Sequence, residues 1–323
     1  MTHKATALAH PNIAFIKYWG LADEDRKIPA NGSISMNIGC LSTRTTVDYS
    51  DHFNEDHLVL NGHEISGPAL KRVQNFMDQV RRLAGETLFA EITSENNFPI
   101  GAGVASSASG FAALALAAAS AIGLNLSEPK LSSLARFGSG SACRSIPDGF
   151  AEWRTYPESG ESFAYSIAPS DHWSLVDCIA VLDTDHKAVG SESGMRTAVS
   201  SPLQDARIKD AEQRLDRCRV AIQDRNFDAL AKVTELDSNM MHAVMMTSDP
   251  PLFYWQPQSL AIMKAVQSWQ NEGLSVTYTL DAGPNVHVIT TKQNMGEVLS
   301  RLNQFPGVLN VLKGQPAGPA RLV

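Results

Sequence analysis

The sequence has few cysteines, no dense basic run and no long hydrophobic stretch. Its four cysteines are widely spaced, with no CxxC pair and no disulfide-dense pattern, which fits a protein of a reducing cytoplasm. There are 27 Lys and Arg residues against 34 Asp and Glu, so the formal net charge is −7. Without a basic cluster the chain lacks the electrostatic pattern of a nucleic-acid-binding protein, and we predict no nucleic-acid partner.

No hydrophobic run has the length of a membrane span. The most apolar segment, residues 111–124, is interrupted by Ser120 and Gly123, whereas a span needs roughly 20 apolar residues. The N-terminal stretch lacks the apolar core and cleavage site of a signal peptide. We therefore predict a buried helix over 111–124 and a cytoplasmic protein without a membrane partner.

The chain does contain enough apolar material for a large core. Its 323 residues are 43% hydrophobic and 19% charged, which suits one large or two fused domains. Strand and helix patterns alternate without the regular βαβ rhythm of a parallel sheet, so the predicted class is α+β. A mostly helical region follows the apolar run 175–183. We place a domain boundary there, near Asp185, which gives domains 1–185 and 186–323.

Local patterns predict several elements of the first domain. Asn61-Gly62 between two strand-forming runs predicts a hairpin turn. Apolar spacing predicts a helix over 68–84 that Gly85 ends. Ser127 is expected to cap a helix that runs through Arg136, with Gly138 beyond its end.

The sequence GAGVASS (101–107) precedes the Ala-rich segment and suggests a phosphate site. It has Ser where the third glycine of a dinucleotide-binding fingerprint stands, and it has no Walker A lysine. Gly101 and Gly103 permit close backbone approach, while the hydroxyls of Ser106 and Ser107 suit a phosphate or its Mg²⁺ at a helix N-terminus. The alternative is an ordinary Gly/Ser N-cap on a tightly packed helix.

A second loop, GSGSACRS (138–145), places Ser139, Ser141 and Arg144 in one short turn. A guanidinium and two hydroxyls on a Gly-containing backbone suit an anion better than they suit a core. The alternative is a helix C-capping turn with a solvated arginine.

Two further stretches carry single charged residues of interest. Asp281 in DAGPN joins two apolar strands, although such an aspartate often makes only an Asx turn. Lys17 in KYWG lies in an apolar, aromatic stretch, where a lysine is costly unless its charge is used. Tyr18 and Trp19 beside it are equally compatible with plain core packing.

KYWG, the glycine–serine loop, GSGSACRS and DAGPN occur in an order that resembles the mevalonate diphosphate decarboxylases of the galactokinase–homoserine kinase–mevalonate kinase–phosphomevalonate kinase superfamily. The resemblance covers most of the chain and extends through NIAFIKYWG (12–20), NGSISMNI (31–38) and DSNMMHA (237–243). GSGSACRS and DAGPN are its more specific motifs, since the whole superfamily shares the glycine loop in variant form.

The resemblance implies a ribosomal-protein-S5-like N-terminal domain, a ferredoxin-like C-terminal domain and an active site in the cleft between them. It also implies a reaction in which ATP phosphorylates the tertiary alcohol of a 5-phosphorylated mevalonate, after which phosphate and CO₂ are lost. ATP and Mg²⁺ are the implied cofactors, and a homodimer is the expected assembly.

The resemblance further implies roles for individual residues. Asp281 matches the catalytic base, and Lys17 matches a lysine that neutralises the transferred phosphoryl group or orients the base. Ser107 is expected to reach Mg²⁺ through Mg-ATP. The residues implied to bind the acid substrate are Tyr18, Ser139, Ser141, Arg144 and Arg196. Those implied to contact ATP are Gly101, Gly103, Ser106 and Ser107 and, by looser matches, Lys71, Ser94, Asn96 and Lys187.

One position departs from the pattern of the diphosphate-specific relatives, which typically read KYWGK. Leu21 stands at the final lysine and acidic residues follow it, so we slightly favour mevalonate 5-phosphate over the 5-diphosphate as substrate. The alternative is that Arg26, Lys27 or Arg196 replaces the missing lysine, in which case Leu21 does not indicate the substrate. Two other functions stay open at this point: a superfamily kinase that stops at phosphoryl transfer, and a non-catalytic metabolite-binding protein.

Overall fold

A computed structural model of the chain describes residues 3–98, 106–156, 158–184 and 190–323. The strands are β1 (Lys4–Ala9), β2 (Asn12–Ile16), β3 (Leu21–Asp23), β4 (Ile28–Pro29), β5 (Ser33–Asn37), β6 (Thr43–Ser50), β7 (His57–Leu60), β8 (His63–Glu64), β9 (Phe89–Asn96), β10 (Phe150–Tyr156), β11 (Glu161–Ala168), β12 (Leu175–Val181), β13 (Val276–Thr279), β14 (Val286–Thr291), β15 (Asn310–Gly314) and β16 (Arg321–Leu322). The helices are α1 (Gly67–Ala84), α2 (Ser106–Ala121), α3 (Glu128–Gly138), α4 (Ser191–Thr197), α5 (Gln204–Lys209), α6 (Ala211–Gln223), α7 (Phe227–Met246), α8 (Pro257–Asn271) and α9 (Met295–Asn303), with 3-10 helices at Gly140–Ser145 and Ala198–Ser200.

The first sheet has the strand order β16-β1-β6-β9-β7-β8 and shares a core with α1, α2 and α3. Most residues of α2 are buried, and most of these are alanines. Small side chains let this helix lie close to the sheet, and a helix that is apolar on all sides belongs in a core. The described residues contain no helix with the length and hydropathy of a membrane span. The prediction of a buried helix is therefore confirmed.

The described residues form three further sheets: two of four strands, and the two-stranded pair β3-β4. The order β11-β10-β5-β2 describes the second, whose core includes residues of α6 and α7. The third, β13-β14-β12-β15, is antiparallel throughout, with α8 between β12 and β13 and α9 between β14 and β15. The helices α4 to α7 also lie between β12 and β13 in the chain, but α8 and α9 are the helices that share a core with this sheet. With these two helices the sheet has the βαββαβ pattern and the strand order 2-3-1-4, as the ferredoxin-like prediction requires. The last strand, β16, pairs with β1 and so returns the end of the chain to the first sheet.

Two of the local predictions are confirmed by the structure, and one is wrong because of tertiary packing. Asn61 and Gly62 have positive φ angles of 50° and 79° between β7 and β8, as the hairpin turn requires, and Gly85 ends α1 with φ 71°. Gly138 instead forms the last residue of α3. A Cβ atom there would lie 2.0 Å from the ring of Phe111. The glycine is needed for close approach to α2, and the prediction that it lies beyond the helix end is wrong.

Candidate active site

A cavity of about 460 Å³ is lined by residues that are far apart in the chain, from Asn12 to Ala282. It brings together most of the residues that the motifs single out. Those that line it are Lys17, Tyr18, Ser106, Ser107, Ser139, Ser141, Arg144, Arg196 and Asp281.

The most direct contact in the cavity is an ion pair between Lys17 and Asp281. Lys17 follows β2, Asp281 follows β13, and Nζ lies 2.7 Å from Oδ1. The lysine side chain is 2% exposed, whereas the aspartate side chain is 33% exposed. Burial lowers the pKa of Lys17, and the nearby Asp281 carboxylate only partly opposes that shift. The pair therefore presents a solvent-reachable carboxylate oriented by a buried cation.

Charged groups from two helices hold the backbone of Lys17 in place. Its N–H donates to Oδ2 of Asp237 at 2.6 Å, and its carbonyl accepts from Arg207 at 2.8 Å and from Asn31 at 3.0 Å. Arg214 donates to the other Asp237 oxygen at 2.7 Å. All of these side chains are buried. Asp237 begins the DSNMMHA stretch, but only tertiary structure shows that it fixes Lys17.

Arg144 also lines the cavity. Its guanidinium is buried and, in contrast to the ion-paired Lys17, is hydrogen-bonded by neutral groups. It donates to Ser33 Oγ at 2.6 Å, Ser35 Oγ at 3.0 Å and Asn12 Oδ1 at 3.2 Å. Burial lowers its pKa, although an arginine stays charged at neutral pH. The alternative of a solvated arginine is wrong. The SIS sequence is a local signal for this contact, because serines two apart on β5 point to one face of the strand.

The two stretches predicted to bind anions, GAGVASS (101–107) and GSGSACRS (138–145), are called the two anion loops below. Serine hydroxyls of both loops form one chain. Ser107 Oγ lies 3.3 Å from Ser139 Oγ, which lies 3.4 Å from Ser141 Oγ. The first residues of α2 and the 3-10 helix 140–145 therefore line the same wall of the cavity. Gly101 and Gly103 of the glycine loop lie outside the described residues.

Tyr18 packs against the loop of Ser139 and Ser141. Its ring meets Trp153 edge-on, with centroids 4.7 Å apart. A Cβ at Gly140 would lie 2.6–2.9 Å from Tyr18 atoms, so only glycine permits this contact. Burial raises the pKa of the Tyr18 hydroxyl, which therefore stays protonated and able to donate a hydrogen bond.

The looser ATP assignments lie elsewhere. Ser94 hydrogen-bonds Thr45 inside the first sheet at 2.9 Å, and Asn96 accepts from Thr43 at 2.6 Å. Lys71 is exposed on α1. None of the three is among the described residues that line the cavity. Lys187 falls outside the described residues.

Several charged residues line the mouth of the cavity, and two of them, Arg72 and Glu192, belong to none of the motifs that predicted the site. Glu192 on α4 contacts Lys27 at 3.2 Å and Arg72 at 3.7 Å. Arg196 pairs with Glu24 at 2.6 Å. Arg72 also donates to the carbonyl of Gly138, at 3.0 and 2.8 Å. Leu21 lies at the same mouth and brings no charge.

Family models match both halves of the chain. Residues 9–164 match the diphosphomevalonate decarboxylase-like N-terminal domain, and residues 178–315 match the mevalonate 5-diphosphate decarboxylase C-terminal domain. The chain belongs to the diphosphomevalonate decarboxylase family. Membership in this family makes the protein an enzyme of the decarboxylase class, as the motifs predicted.

Individual members of the diphosphomevalonate decarboxylase family are similar over almost the whole chain. The diphosphomevalonate decarboxylase of Candida albicans is 39% identical over 94% of this chain and 89% of its own length. The phosphomevalonate decarboxylase of Haloferax volcanii is 34% identical over 91% and 90%. A solved structure described as MDDEF in complex with MVAPP, AMPPCP and magnesium is 37% identical, with a TM-score of 0.93 over 99% of this chain and 98% of that one. The predicted α+β fold is confirmed.

Proposed function

We propose that this protein catalyses the ATP-dependent decarboxylation of a 5-phosphorylated mevalonate and releases the corresponding isopentenyl phosphate. The observation that carries the proposal is the Lys17–Asp281 pair in a cavity that is also lined by a buried, charge-bearing Arg144. A base and a carboxylate-binding cation are the two groups that this reaction needs from the protein.

In the first step, the tertiary hydroxyl of the substrate attacks the terminal phosphorus of ATP and ADP leaves. Asp281 takes the hydroxyl proton, and Lys17 orients this carboxylate and offsets the negative charge on the transferred group. The hydroxyl chain from Ser107 to Ser141 suits the phosphate oxygens at the first turn of α2. Mg²⁺ bound to ATP would neutralise phosphate charge, with Ser107 as the residue placed to reach it.

In the second step, the new carbon–phosphate ester bond breaks and inorganic phosphate leaves. The bond to the carboxylate breaks as well, its electron pair forms the C=C bond, and CO₂ is released. Arg144 would hold the carboxylate through its planar fork, because Ser33, Ser35 and Asn12 fix the guanidinium without neutralising it. Fixing the carboxylate in line with the breaking bond is the protein's main means of directing this step.

The mouth of the cavity supports the monophosphate as the preferred substrate. Relatives named for both substrates are similar to this chain, so the names do not decide the choice. Leu21 provides no cation, and the three residues named above as replacements for the missing lysine, Arg26, Lys27 and Arg196, each have a partner. Lys27 contacts Glu192, Arg196 contacts Glu24, and Arg26 donates to the Gly160 carbonyl at 2.7 Å.

A product assay tests the proposed function. The protein is incubated with Mg²⁺ and either mevalonate 5-phosphate or mevalonate 5-diphosphate, with and without ATP. We expect CO₂ and ADP in equal amounts, only when ATP is present, and faster with the monophosphate. ADP with a stable phosphorylated product and no CO₂ would identify a kinase instead. Neither product would identify a protein that only binds these ligands.

Three organisational predictions complete the proposal. We place the domain boundary near Asp185, which itself lies outside the described residues, and we expect a cytoplasmic homodimer. Light scattering of the purified protein measures the mass in solution against the 35.0 kDa of one chain.

A further inference from the structure

One acidic side chain at the mouth of the cavity contacts two of its basic residues. Glu192 lies in the first turn of α4 and lines the cavity. One carboxylate oxygen is 3.2 Å from Lys27 Nζ, and the other is 3.7 Å from an Arg72 guanidinium nitrogen. Those two cations come from distant parts of the chain, the β3–β4 turn and α1. Glu192 therefore joins them across the opening.

The carboxylate is charged when the substrate arrives. Burial alone would raise the pKa of Glu192, but the facing Arg72 and Lys27 hold it below the usual glutamate value. Arg196 has its own carboxylate partner in Glu24. Lys27, Arg72 and Arg196 are thus paired before any ligand binds.

We propose that Glu192 is a specificity-determining residue that selects a substrate with one 5-phosphate over a substrate with two. This inference rests on the proposed function. A 5-diphosphate brings additional negative charge toward the mouth, where Glu192 repels it and already occupies Lys27 and Arg72. A monophosphate is shorter and less charged, so the same carboxylate penalises it less.

A purely structural role for Glu192 predicts something different. An acidic residue in the first turn of a helix interacts favourably with the helix dipole. If Glu192 served only to stabilise α4, its replacement would lower the melting temperature without altering the choice between the two substrates. The ratio of the two substrates therefore separates the roles.

The test is Glu192→Gln, which removes the charge and keeps the shape. kcat/KM is measured for mevalonate 5-phosphate and 5-diphosphate, and the affinity for each is measured by calorimetry. We expect the diphosphate to gain about five- to tenfold relative to the monophosphate, mainly through KM. The matched control is Glu272→Gln, whose side chain is 48% exposed against 44% for Glu192 and pairs with Arg301 at 2.7 Å away from the cavity. It should leave the ratio unchanged.

A second variant tests whether Glu192→Gln frees Lys27 to contact the diphosphate. Lys27→Gln should reduce diphosphate use more in the Glu192→Gln protein than in the wild type, because only there is Lys27 unpaired. An unchanged ratio in Glu192→Gln, or an equal change in the control, would overturn the inference. If neither substrate yields CO₂, the proposed function fails, yet the calorimetric ratio still decides the role of Glu192.

Discussion

The Nζ atom of Lys17 lies 2.7 Å from Oδ1 of Asp281, although 264 positions separate the two residues in the chain. Two neighbouring residues of α7 hold the two sides of this pair. Asp237 accepts the N–H of Lys17 at 2.6 Å, and the Ser238 hydroxyl accepts the N–H of Leu280, next to Asp281, at 3.1 Å. One rigid helix therefore sets the position of a proposed base relative to its proposed orienting cation.

Asp281→Asn should fold normally and bind both substrates but lose at least about 10²-fold in kcat, because removal of a general base typically costs that much. Steady-state kinetics with calorimetric binding of each substrate measures both effects. The control is Asp48→Asn, an aspartate 40% exposed that pairs with Lys4 outside the cavity. A variant that keeps more than about a tenth of the wild-type kcat would exclude Asp281 as the base.

Lys17→Met should reduce turnover without reducing stability. The backbone contacts of Lys17 do not involve its side chain, and the Asp281 left behind is partly solvated. Loss of the buried cation should cost about 10²-fold or more in kcat, while the melting temperature at pH 7 should equal or exceed the wild-type value. Lys4→Met, at an exposed lysine that pairs with Asp48, is the control for both measurements.

The difference in stability between the wild type and Lys17→Met should depend on pH, because burial lowers the pKa of Lys17. Between the lowered pKa and the ordinary value of 10.5, the unfolded chain binds more protons than the folded protein. The wild type should therefore gain stability relative to Lys17→Met as the pH rises through that window. A wild type that instead loses stability relative to Lys17→Met as the pH rises through that window would show that burial does not lower the pKa of Lys17.

Asp237→Asn tests the helix that holds the pair. The carboxylate is fully buried and faces Arg214 at 2.7 Å and Arg207 at 3.7 Å, so its loss leaves two buried guanidiniums without their shared anion. We expect a loss of roughly 3–5 kcal/mol in the free energy of unfolding, measured in urea. Asp224→Asn, at an exposed position after α6, should change it little. A loss below about 1 kcal/mol would contradict this account.

Arg144→Lys should be harmful although the charge is kept. A lysine cannot contact Ser33, Ser35 and Asn12 together and still present a planar fork to a carboxylate. We expect the KM of the acid substrate to rise at least about tenfold while the KM of ATP stays within a factor of about two. If the KM of ATP rises instead, the two anion loops have been assigned the wrong ligands.

The sequence predicted those features that are encoded in local stretches. Asn61-Gly62 and Gly85 formed the expected turn and helix end because their φ angles depend on neighbouring residues. The motifs also identified Lys17, Ser139, Arg144 and Asp281, which lie in loops or a 3-10 helix and line one cavity.

Features that depend on long-range packing were not predicted. The end of α3 was misplaced because Gly138 does not mark a helix end. It is a glycine because the ring of Phe111 on α2 leaves no room for a Cβ atom. The contacts of Asp237 and Glu192 are with partners at remote positions. Asp237 lies in the DSNMMHA stretch, but that stretch does not show which residue it contacts. Ser94, which the resemblance implies contacts ATP, hydrogen-bonds Thr45 inside a sheet, and its role at the ATP site stays a prediction.

Leu21→Lys tests whether the missing cation at position 21 causes the proposed preference for the monophosphate. Leu21 lies at the cavity mouth, where Lys27 and Arg196 are already paired with Glu192 and Glu24. A lysine placed there adds a cation without a fixed partner, which should favour the more highly charged ligand. We expect kcat/KM for mevalonate 5-diphosphate to rise about five- to tenfold while the value for the 5-phosphate changes less than about threefold. Leu21→Met controls for the side-chain change without charge, and both variants are assayed at low and high salt, since a charge effect should weaken as salt rises. A wild type that prefers the diphosphate, or a Leu21→Lys enzyme with an unchanged ratio at low salt, would show that this position does not set the choice of substrate.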